Sequence, residues 1–375
     1  MRFPSLQQYK AKLVSFAVAQ PLFSRLVRVL LRIRSTSDSI YPIFTLRHFC
    51  QIVGADFKFL RLVIGRKFPY TYTTFYLKKN SPSRGFREIN VPCNELRLVQ
   101  RWLVENIISH VHPSEHSFAF HPGSSPYAAA AEHRNTKWLL KVDIKDFFHS
   151  VSEHEVYDIF YGIGFQKLLA FELARICTIP STDSASLVSK ERKIEDYQSN
   201  RIGRLPQGAP SSPMLANLAM RKVDHEIASC CAEYDLRFTR YADDIAISSD
   251  DDCGLDTLIQ IRRQVFRILR AHGFDPNPRK SVIRKPGDRK IVLGLLVDTE
   301  RPRLTSEFKN NLRMHLYYLM KPSGPSAHAK ARNSSITTVH AHVLGLIHWA
   351  RYVDSTYGNA RLAEFKSVNW PKGTW

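Results

Sequence analysis

The sequence RYADDIAI at residues 240–247 decides how this 375-residue chain folds. Two adjacent acids, Asp243 and Asp244, stand between apolar residues that favour strands, so the pattern predicts a β-hairpin with both carboxylates at its turn. Adjacent ionised acids repel each other, and a neighbouring hydrophobic core raises that cost unless a cation neutralises them. Taken alone, the pair is equally compatible with an ordinary Asp-Asp turn on the surface.

A third acid lies at the end of an apolar strand about one hundred residues upstream of this pair. The sequence KVDIKDFF at 141–148 places Asp143 at the end of a strand predicted over 138–144. If the two strands adjoin in one sheet, Asp143 lies beside Asp243. Such carboxylates can hold two Mg²⁺ ions roughly 3.5–4 Å apart, the arrangement that serves in-line phosphoryl transfer. Because Mg²⁺ keeps several water and phosphate ligands, two or three Asp residues suffice.

The charge of the chain favours a polyanionic partner. Lys and Arg number 54 against 34 acids, a formal net charge of +20. Residues 1–36 contain no acid, and residues 279–290 carry six positive charges against one Asp. Each phosphate that such a surface neutralises releases condensed counterions, which favours nucleic acid. A solvated basic surface or an anionic membrane surface would carry the same composition.

The cysteines and the apolar runs indicate a cytoplasmic protein. The six cysteines show no CxxC spacing, so we expect reduced thiols. The apolar run at 13–19 is too short to span a bilayer, which takes roughly 18 or more apolar residues. We therefore expect no membrane partner.

The periodicity predicts a mixed α+β order of elements. Helices are expected at 22–33, 45–60, 94–108, 153–160, 167–176, 215–232, 255–272 and from 305 onward, with a break at 322–326. Strands or hairpins are expected at 72–77 with 87–91 around a turn at 80–85, and at 138–144, 236–249 and 291–297. The polar stretch 181–204 is expected to be an exposed loop or insertion.

In this order the segments resemble the motifs of reverse transcriptases. KVDIKDFF resembles motif A, LPQGAPSSP (205–213) motif B, RYADDIAIS motif C, HGFDPNPRKS (272–281) motif D and VLGLLV (292–297) the primer grip. YLKKNSPSRGFREINVP (76–92) and SFAFHPGSS (117–125) are similar to the two fingers blocks of bacterial members. The resemblance covers roughly residues 70–300 and implies an α+β right-hand polymerase fold of fingers, a palm with an antiparallel sheet, and a small helical thumb.

The resemblance also implies a division of the chain. Residues 1–69 would form a basic helical N-terminal region, 70–135 the fingers and 136–300 the palm, with a fingers-side insertion at 178–204. Residues 301–375 would form the helical thumb, which contacts RNA.

Roles follow from the matched positions. The implied catalytic residues are Asp143, Asp243, Asp244 and Lys280. Of these, Lys280 would protonate the pyrophosphate leaving group. The implied ligands of two Mg²⁺ ions are Asp143, Ile144, Asp243 and Asp244. The nucleotide-binding positions are Lys78, Arg87, Phe148, Gln207 and Gly208, and the primer or template positions are Tyr241, Leu293 and Gly294.

Several of these positions have a plain alternative. Phe148 matches a steric gate that would reject a ribose 2′-OH and so select deoxynucleotides, but a core Phe beside an inward Phe147 fits the same sequence. Lys78 and Arg87 fit a solvated surface pair as well as a triphosphate site. Tyr241 fits a packed strand residue.

Within the family the chain resembles retron reverse transcriptases, because no ribonuclease H, integrase or endonuclease segment is recognisable. Two retron elements are altered: Ala129 replaces the Asn of NAxxH before His133, and Leu293 replaces the Thr of VTG. Retron membership implies a structured noncoding RNA as template and primer, dNTPs, a branched RNA–DNA product (msDNA) and an effector protein in phage defence. The alternatives are a diversity-generating or abortive-infection reverse transcriptase, a polymerase-derived RNA-binding scaffold, or an RNA-dependent RNA polymerase, which Phe148 disfavours.

Overall fold

The structure is a computed structural model that describes residues 7–8, 20–68, 70–78, 85–180 and 202–371. It confirms the α+β class. The helices are α1 (Gln20–Thr36), α2 (Leu46–Val53), α3 (Phe57–Ile64), α4 (Asn94–Asn106), α5 (Pro126–Ala131), α6 (Phe147–Ser150), α7 (Glu153–Ile163), α8 (Lys167–Cys177), α9 (Ser212–Ala219), α10 (Arg221–Ala232), α11 (Leu255–Ala271), α12 (Ser306–Leu319), α13 (Gly324–Ala331), α14 (Ile336–Val353) and α15 (Ser355–Lys366). The strands are β1 (Tyr72–Lys78), β2 (Phe86–Pro92), β3 (Trp138–Asp143), β4 (Ile179–Pro180), β5 (Gly203–Arg204), β6 (Arg237–Tyr241), β7 (Asp244–Ser249), β8 (Val282–Arg284), β9 (Ile291–Val292), β10 (Leu295–Leu296) and β11 (Arg303–Leu304).

A four-stranded antiparallel sheet carries the acids. Its strand order is β6-β7-β3-β8. Strand β3 pairs with β7 from Trp138 opposite Ser249 to Asp143 opposite Asp244. The upstream strand and the hairpin therefore adjoin, as the sequence predicts.

The two faces of this sheet belong to different cores. Side chains alternate along a strand, so Asp143 shares a face with Leu139, while Leu140 and Val142 point to the other face. Leu140 and Val142 belong to a large hydrophobic cluster that also contains the buried side of α11. Leu139 belongs to a second cluster with β9, β10 and the C-terminal helices α12, α14 and α15. The acids thus lie on the face that the C-terminal helices partly cover.

Strands β1 and β2 form a separate two-stranded ribbon that runs from Tyr72 opposite Pro92 to Lys78 opposite Phe86. The turn predicted at 80–85 lies outside the described residues except for Gly85. The predicted insertion at 181–204 is described only from residue 202, and the short antiparallel pair β4–β5 brackets it.

Two predicted helices are each divided in the structure. The helix expected over 45–60 is α2 followed by α3, because Gly54 ends α2 in a left-handed conformation (φ 71°) and the Asp56 side chain caps α3 by accepting from the Phe59 amide. The helix expected over 215–232 is α9 followed by α10, which meet at Met220. In the second case the apolar periodicity continues from α9 into α10, so the sequence pattern does not indicate where one helix ends and the next begins.

Two further predictions near the C-terminus are corrected. The strand expected over 291–297 is a tight hairpin of β9 and β10, whose turn residues Leu293 (φ 48°) and Gly294 (φ 81°) are both left-handed. A Leu at positive φ is uncommon, so the all-apolar run reads as one strand. The break expected at 322–326 is partly helical, since α13 begins at Gly324. Among the described residues, no helix is long and apolar enough to cross a bilayer.

Candidate active site

Three acids converge at one end of the central sheet. Asp143 ends β3 directly opposite Asp244, and Asp243 occupies the turn between β6 and β7. The Ile144 amide donates to the Asp243 carbonyl at 3.0 Å, which fastens the end of β3 to this turn. The side chain of Asp143 is buried, with the whole residue 8% exposed. The structure therefore brings together the three acids that the sequence singles out.

The local electrostatics favour a cation at this place. Burial, followed by the charges of Asp244 and Asp143, raises the pKa of Asp243 above its ordinary value. Burial also raises the pKa of Asp244, an effect that the Lys141 ammonium opposes. Like charges close together in a partly dry place resist ionisation unless a positive ion joins them.

Lys280 and Asn277 hold the Asp143 carboxylate. Lys280 Nζ lies 2.9 Å from Asp143 Oδ1, and Asn277 Nδ2 donates to Oδ2 at 2.9 Å. The Asn277 amide also donates to the Asp143 carbonyl at 2.7 Å. The hydrogen bond with Asp143 is the main reason that the pKa of Lys280 is raised. Sequence reasoning selected Lys280 but missed Asn277, whose one sequence signal is an amide side chain between two prolines in the motif D-like segment.

The donor set fits Mg²⁺ in its chemistry. In the described part of the chain, no three His, Cys, Asp or Glu side chains are gathered closely enough to enclose a metal ion. The acids of β3 and β7 nevertheless offer hard carboxylate oxygens on adjacent strands, and Mg²⁺ takes few protein ligands beside water and phosphate. Ile144 is nearly fully buried and forms a bridge with Pro276, so its backbone lies at the same strand end.

A buried arginine fixes the turn that carries Asp243. Arg240 is fully buried and makes two hydrogen bonds of 2.7 Å with the carboxylate of Asp224 on α10. It also donates to the Ala242 carbonyl at 3.2 Å and to Asn217 of α9 at 3.0 Å. Ala242 itself has φ 56°, so the turn adopts a backbone that needs outside support. Removing one partner of such a buried pair typically costs about 3–5 kcal/mol. Sequence reasoning missed this role, although an Arg within an apolar strand was a signal for it.

His133 fastens the same hairpin from the opposite end. It is fully buried, and its two ring nitrogens lie 2.6 Å from Ser248 Oγ on β7 and 2.7 Å from Thr239 Oγ1 on β6. Burial, with help from the charge of Arg237, lowers the pKa of His133 to about 3. The histidine of the altered NAxxH element is therefore a neutral cross-link between the two strands.

An aromatic group lies next to the acids. Phe147 is buried and contacts Phe274, with ring centroids 6.2 Å apart. Phe148 is only partly buried, and its ring lies 6.1 Å from that of Phe120, which in turn lies 6.4 Å from Tyr241. Of the two adjacent rings, Phe147 is thus the more deeply buried, and Phe148 lies at the edge of the core beside the exposed Phe120. Tyr241 packs against the main core from the end of β6.

The PQG turn lies against the β1–β2 ribbon. The Asn90 amide of β2 donates to the Gln207 carbonyl at 2.7 Å. Gly208 has φ 119°, and a Cβ built on it would lie 3.1 Å from the Asn90 carbonyl oxygen and from Ile89. The close backbone approach that glycine permits here is an approach to β2. Gln207 itself is partly exposed.

Lys78 and Arg87 do not share a face of the β1–β2 ribbon. Lys78 pairs with Phe86, and Arg87 pairs with Leu77, so alternation places Lys78 and Arg87 on opposite sides of the ribbon. Both are exposed. Arg87 is on the side of Ile89, which lies against Gly208, so Arg87 faces the PQG turn and Lys78 faces away from it.

Leu293 and Gly294 lie apart from the acids. They form the β9–β10 turn, and Leu293 packs against the second core. Among the described residues, no hydrogen bond joins this turn to Asp143, Asp243 or Asp244.

Comparison with known proteins gives consistent matches. Residues 77–310 match the family described as reverse transcriptase (RNA-dependent DNA polymerase). The chain is similar to the Retron Ec86 reverse transcriptase of Escherichia coli, with 28% identity over 250 residues that cover 67% of this chain and 70% of that protein. It is also similar to two proteins of Myxococcus xanthus. The Retron Mx65 reverse transcriptase is 29% identical over 310 residues, which cover 81% of this chain and 65% of that protein. The Retron Mx162 reverse transcriptase is 27% identical over 236 residues, which cover 60% of this chain and 47% of that protein.

Proposed function

The chain belongs to the reverse transcriptase (RNA-dependent DNA polymerase) family, and we propose that it copies a dedicated, structured noncoding RNA into single-stranded DNA. Membership of this family implies RNA-directed DNA polymerase activity and a right-hand α+β fold. Its similarity to retron reverse transcriptases makes it a retron-type member. The observation that supports a working polymerase best is the register that sets Asp143 opposite Asp244, with Asp243 in the adjoining turn.

We assign the metal site to Asp143, Asp243, Asp244 and the backbone of Ile144. Two Mg²⁺ ions bound there would activate the primer hydroxyl and offset charge on the triphosphate. The residues of the chain itself orient this site: Asn277 aims the Asp143 carboxylate, and Arg240 sets the turn that presents Asp243.

The nucleotide would enter the space between the PQG turn and the aromatic group, which we call the cleft. Phe148 would exclude a ribose 2′-OH, while Gln207 and Gly208 would flank the base. Arg87, which faces the PQG turn, would contact the triphosphate. Lys78 would contact it only if the ribbon rotated so that its other face met the PQG turn. Lys280, already within hydrogen-bond distance of Asp143, would deliver a proton to the leaving pyrophosphate.

We further propose the retron role that the resemblance implies. The RNA would serve as both template and primer and yield a branched RNA–DNA product, msDNA, with an effector protein in phage defence. Tyr241, Leu293 and Gly294 would support the primer end, and residues 301–375 would act as the thumb. We also place the protein in the cytoplasm, a reducing compartment in which the six free cysteines would stay reduced.

Substituting Asp243 tests the polymerase assignment. Asp243→Asn keeps the size and shape of the side chain but removes a charged metal ligand. We expect Mg²⁺-dependent dNTP incorporation on an RNA template to fall at least about 100-fold, as when a group that stabilises transition-state charge is removed. RNA affinity should remain within about twofold, because the metal site alone is altered. Incorporation is measured with labelled dNTPs and affinity by filter binding.

Asp251→Asn is the matched control, since it removes the same charge from an exposed residue just beyond the far end of β7. It should retain normal incorporation. If Asp243→Asn loses RNA binding and its fold together, the acids have a structural role and the assignment of Asp243 to the metal site is contradicted.

A further inference from the structure

The outer side of α11 carries a row of exposed arginines. Arg263, Arg267 and Arg270 follow one another at i, i+4 and i+7, which places them on one face of the helix. At a rise of 1.5 Å per residue the row is about 10 Å long. The buried side of the same helix, with Val265 and Leu269, packs into the main core.

The row lies away from the site of the acids. The apolar side of α11 packs into the same cluster as Leu140 and Val142, whereas Asp143 projects from the opposite face of the sheet. The arginines project from the outer side of α11 and therefore form the back of the palm, separated from the cleft by the sheet. The charge in this row is not part of the metal or triphosphate site.

No acid of the described chain neutralises these arginines. None of the three takes part in an ion pair among the described residues. Two acids near the C-terminal end of α11 have other partners: Glu226 lies 2.8 Å from His272, and Asp275 accepts a hydrogen bond from Lys145. Like charges spaced at i, i+4 destabilise an isolated helix, so the row carries a cost that an external anion would remove.

The surface between these side chains is open to solvent. Arg263, Phe266, Arg267, Arg270 and Ala271 line an open concavity of about 650 Å³. The Arg270 guanidinium lies over the Phe266 ring, 5.8 Å from its centroid, which limits the movement of that side chain. Planar guanidinium groups held in a row suit phosphate oxygens, which they can bind in a bidentate manner.

We propose that Arg263, Arg267 and Arg270 bind the phosphate backbone of a double-stranded segment of the RNA, outside the cleft. This inference rests on the proposed function, since the polyanion that the enzyme already engages as template is RNA. A bound stem on the back of the palm would hold the RNA on the enzyme while the template strand moves through the cleft. Contacts to phosphates fix position and carry no sequence information, so the surface would not distinguish one RNA sequence from another.

The test measures how RNA affinity depends on salt. The full chain, with and without Arg263→Gln, Arg267→Gln and Arg270→Gln together, is titrated into a labelled RNA hairpin with a stem of about 20 base pairs, at several salt concentrations. We expect the triple variant to bind about tenfold more weakly at physiological salt. The slope of log K against log salt should fall by about 2–3, close to one released counterion per arginine. Gln is a good helix former, so the thermal midpoint should not drop.

A charge-matched variant separates this surface from the general positive field. Lys58→Gln, Arg101→Gln and Lys222→Gln together remove the same charge from exposed positions on three other helices. The slope of this control should change by less than one. Equal losses in the two variants, or an unchanged slope in the arginine variant, would overturn the proposal. Incorporation by the unsubstituted chain is measured in parallel. If no incorporation is found, the polymerase assignment is contradicted, while the salt slopes still test whether the arginines bind RNA.

Discussion

Two adjacent aromatic residues differ in how deeply the structure buries them. Phe147 and Phe148 have the same chemistry and neighbouring positions, so the sequence alone permits either to face inward. Phe147 takes the core position against Phe274, and Phe148 is left beside Phe120 at the cleft. The ring that the motif match selects as the gate is thus the less buried of the two.

Replacing the gate ring tests this assignment. Phe148→Ala should admit ribonucleotides, because the group that would collide with a 2′-OH is removed. We expect the preference for dNTP over rNTP, measured as the ratio of kcat/KM, to fall by about 10-fold or more, the effect of roughly 1.4 kcal/mol. Phe147→Ala is the contrasting variant: it should destabilise the fold by about 3–5 kcal/mol and leave sugar preference in the surviving enzyme unchanged. Unaltered sugar selection in Phe148→Ala would refute the gate.

At the scale of elements, the β6–β7 hairpin depends on side chains that lie far away in sequence. Arg240 reaches across to Asp224, and His133 joins Ser248 to Thr239. A turn that presents two acids is self-repelling, so contacts from α10 and from the segment after α5 are needed to hold it. This explains why Arg240 at the start of the acid motif, and His133 far outside it, matter to the geometry of the acids.

The buried histidine predicts a pH dependence of stability. The pKa of His133 is about 3 in the folded chain against 6.5 for an ordinary histidine. Because the folded-state pKa is depressed, the contribution is complete above pH 6.5 and is lost as the pH falls from 6.5 toward 3. At pH 5 the loss is about 2 kcal/mol, from 1.4 kcal/mol per pH unit. Urea unfolding at pH 7.5 and pH 5 measures it.

His133→Gln provides the comparison, because Gln is neutral at both pH values and can still meet two hydroxyls. The other titrating groups are the same in both chains and cancel. The free energy of unfolding of the native chain should drop by about 2 kcal/mol more than that of the variant. An equal drop in both chains would show that His133 does not titrate as its burial implies.

At the scale of the whole molecule, the C-terminal helices are packed onto the sheet and do not form a core of their own. Leu139 of β3 and Ala246 of β7 belong to the same cluster as Leu312 of α12 and Val343 of α14. The boundary expected at residue 301 therefore falls inside a shared hydrophobic cluster, which contains Leu139 and Ala246 of the sheet and Val292 of β9 as well as the C-terminal helices.

Truncation tests that sharing. A chain ending at residue 300 would expose the apolar residues of this cluster to water, so we expect a thermal midpoint lower by roughly 5–10 °C and binding of an apolar dye. The full chain should unfold near its own midpoint without dye binding below it. If the shortened chain melts at the same temperature and binds no dye, the C-terminal helices form an independent unit.

The sequence by itself determined the class of fold, the three acids and the order of the motifs, because these depend on strand periodicity and on chemistry that needs carboxylates at fixed places. It also identified Phe148 and Lys280 as candidates. The tertiary structure alone decided which ring is the more deeply buried, that Asn277 and Arg240 hold the acids in place, that Lys78 and Arg87 lie on opposite sides of their ribbon, and that 291–297 is a hairpin. Those features depend on contacts between segments up to about 130 residues apart, as between Asp143 and Asn277, and on backbone angles that local patterns do not encode.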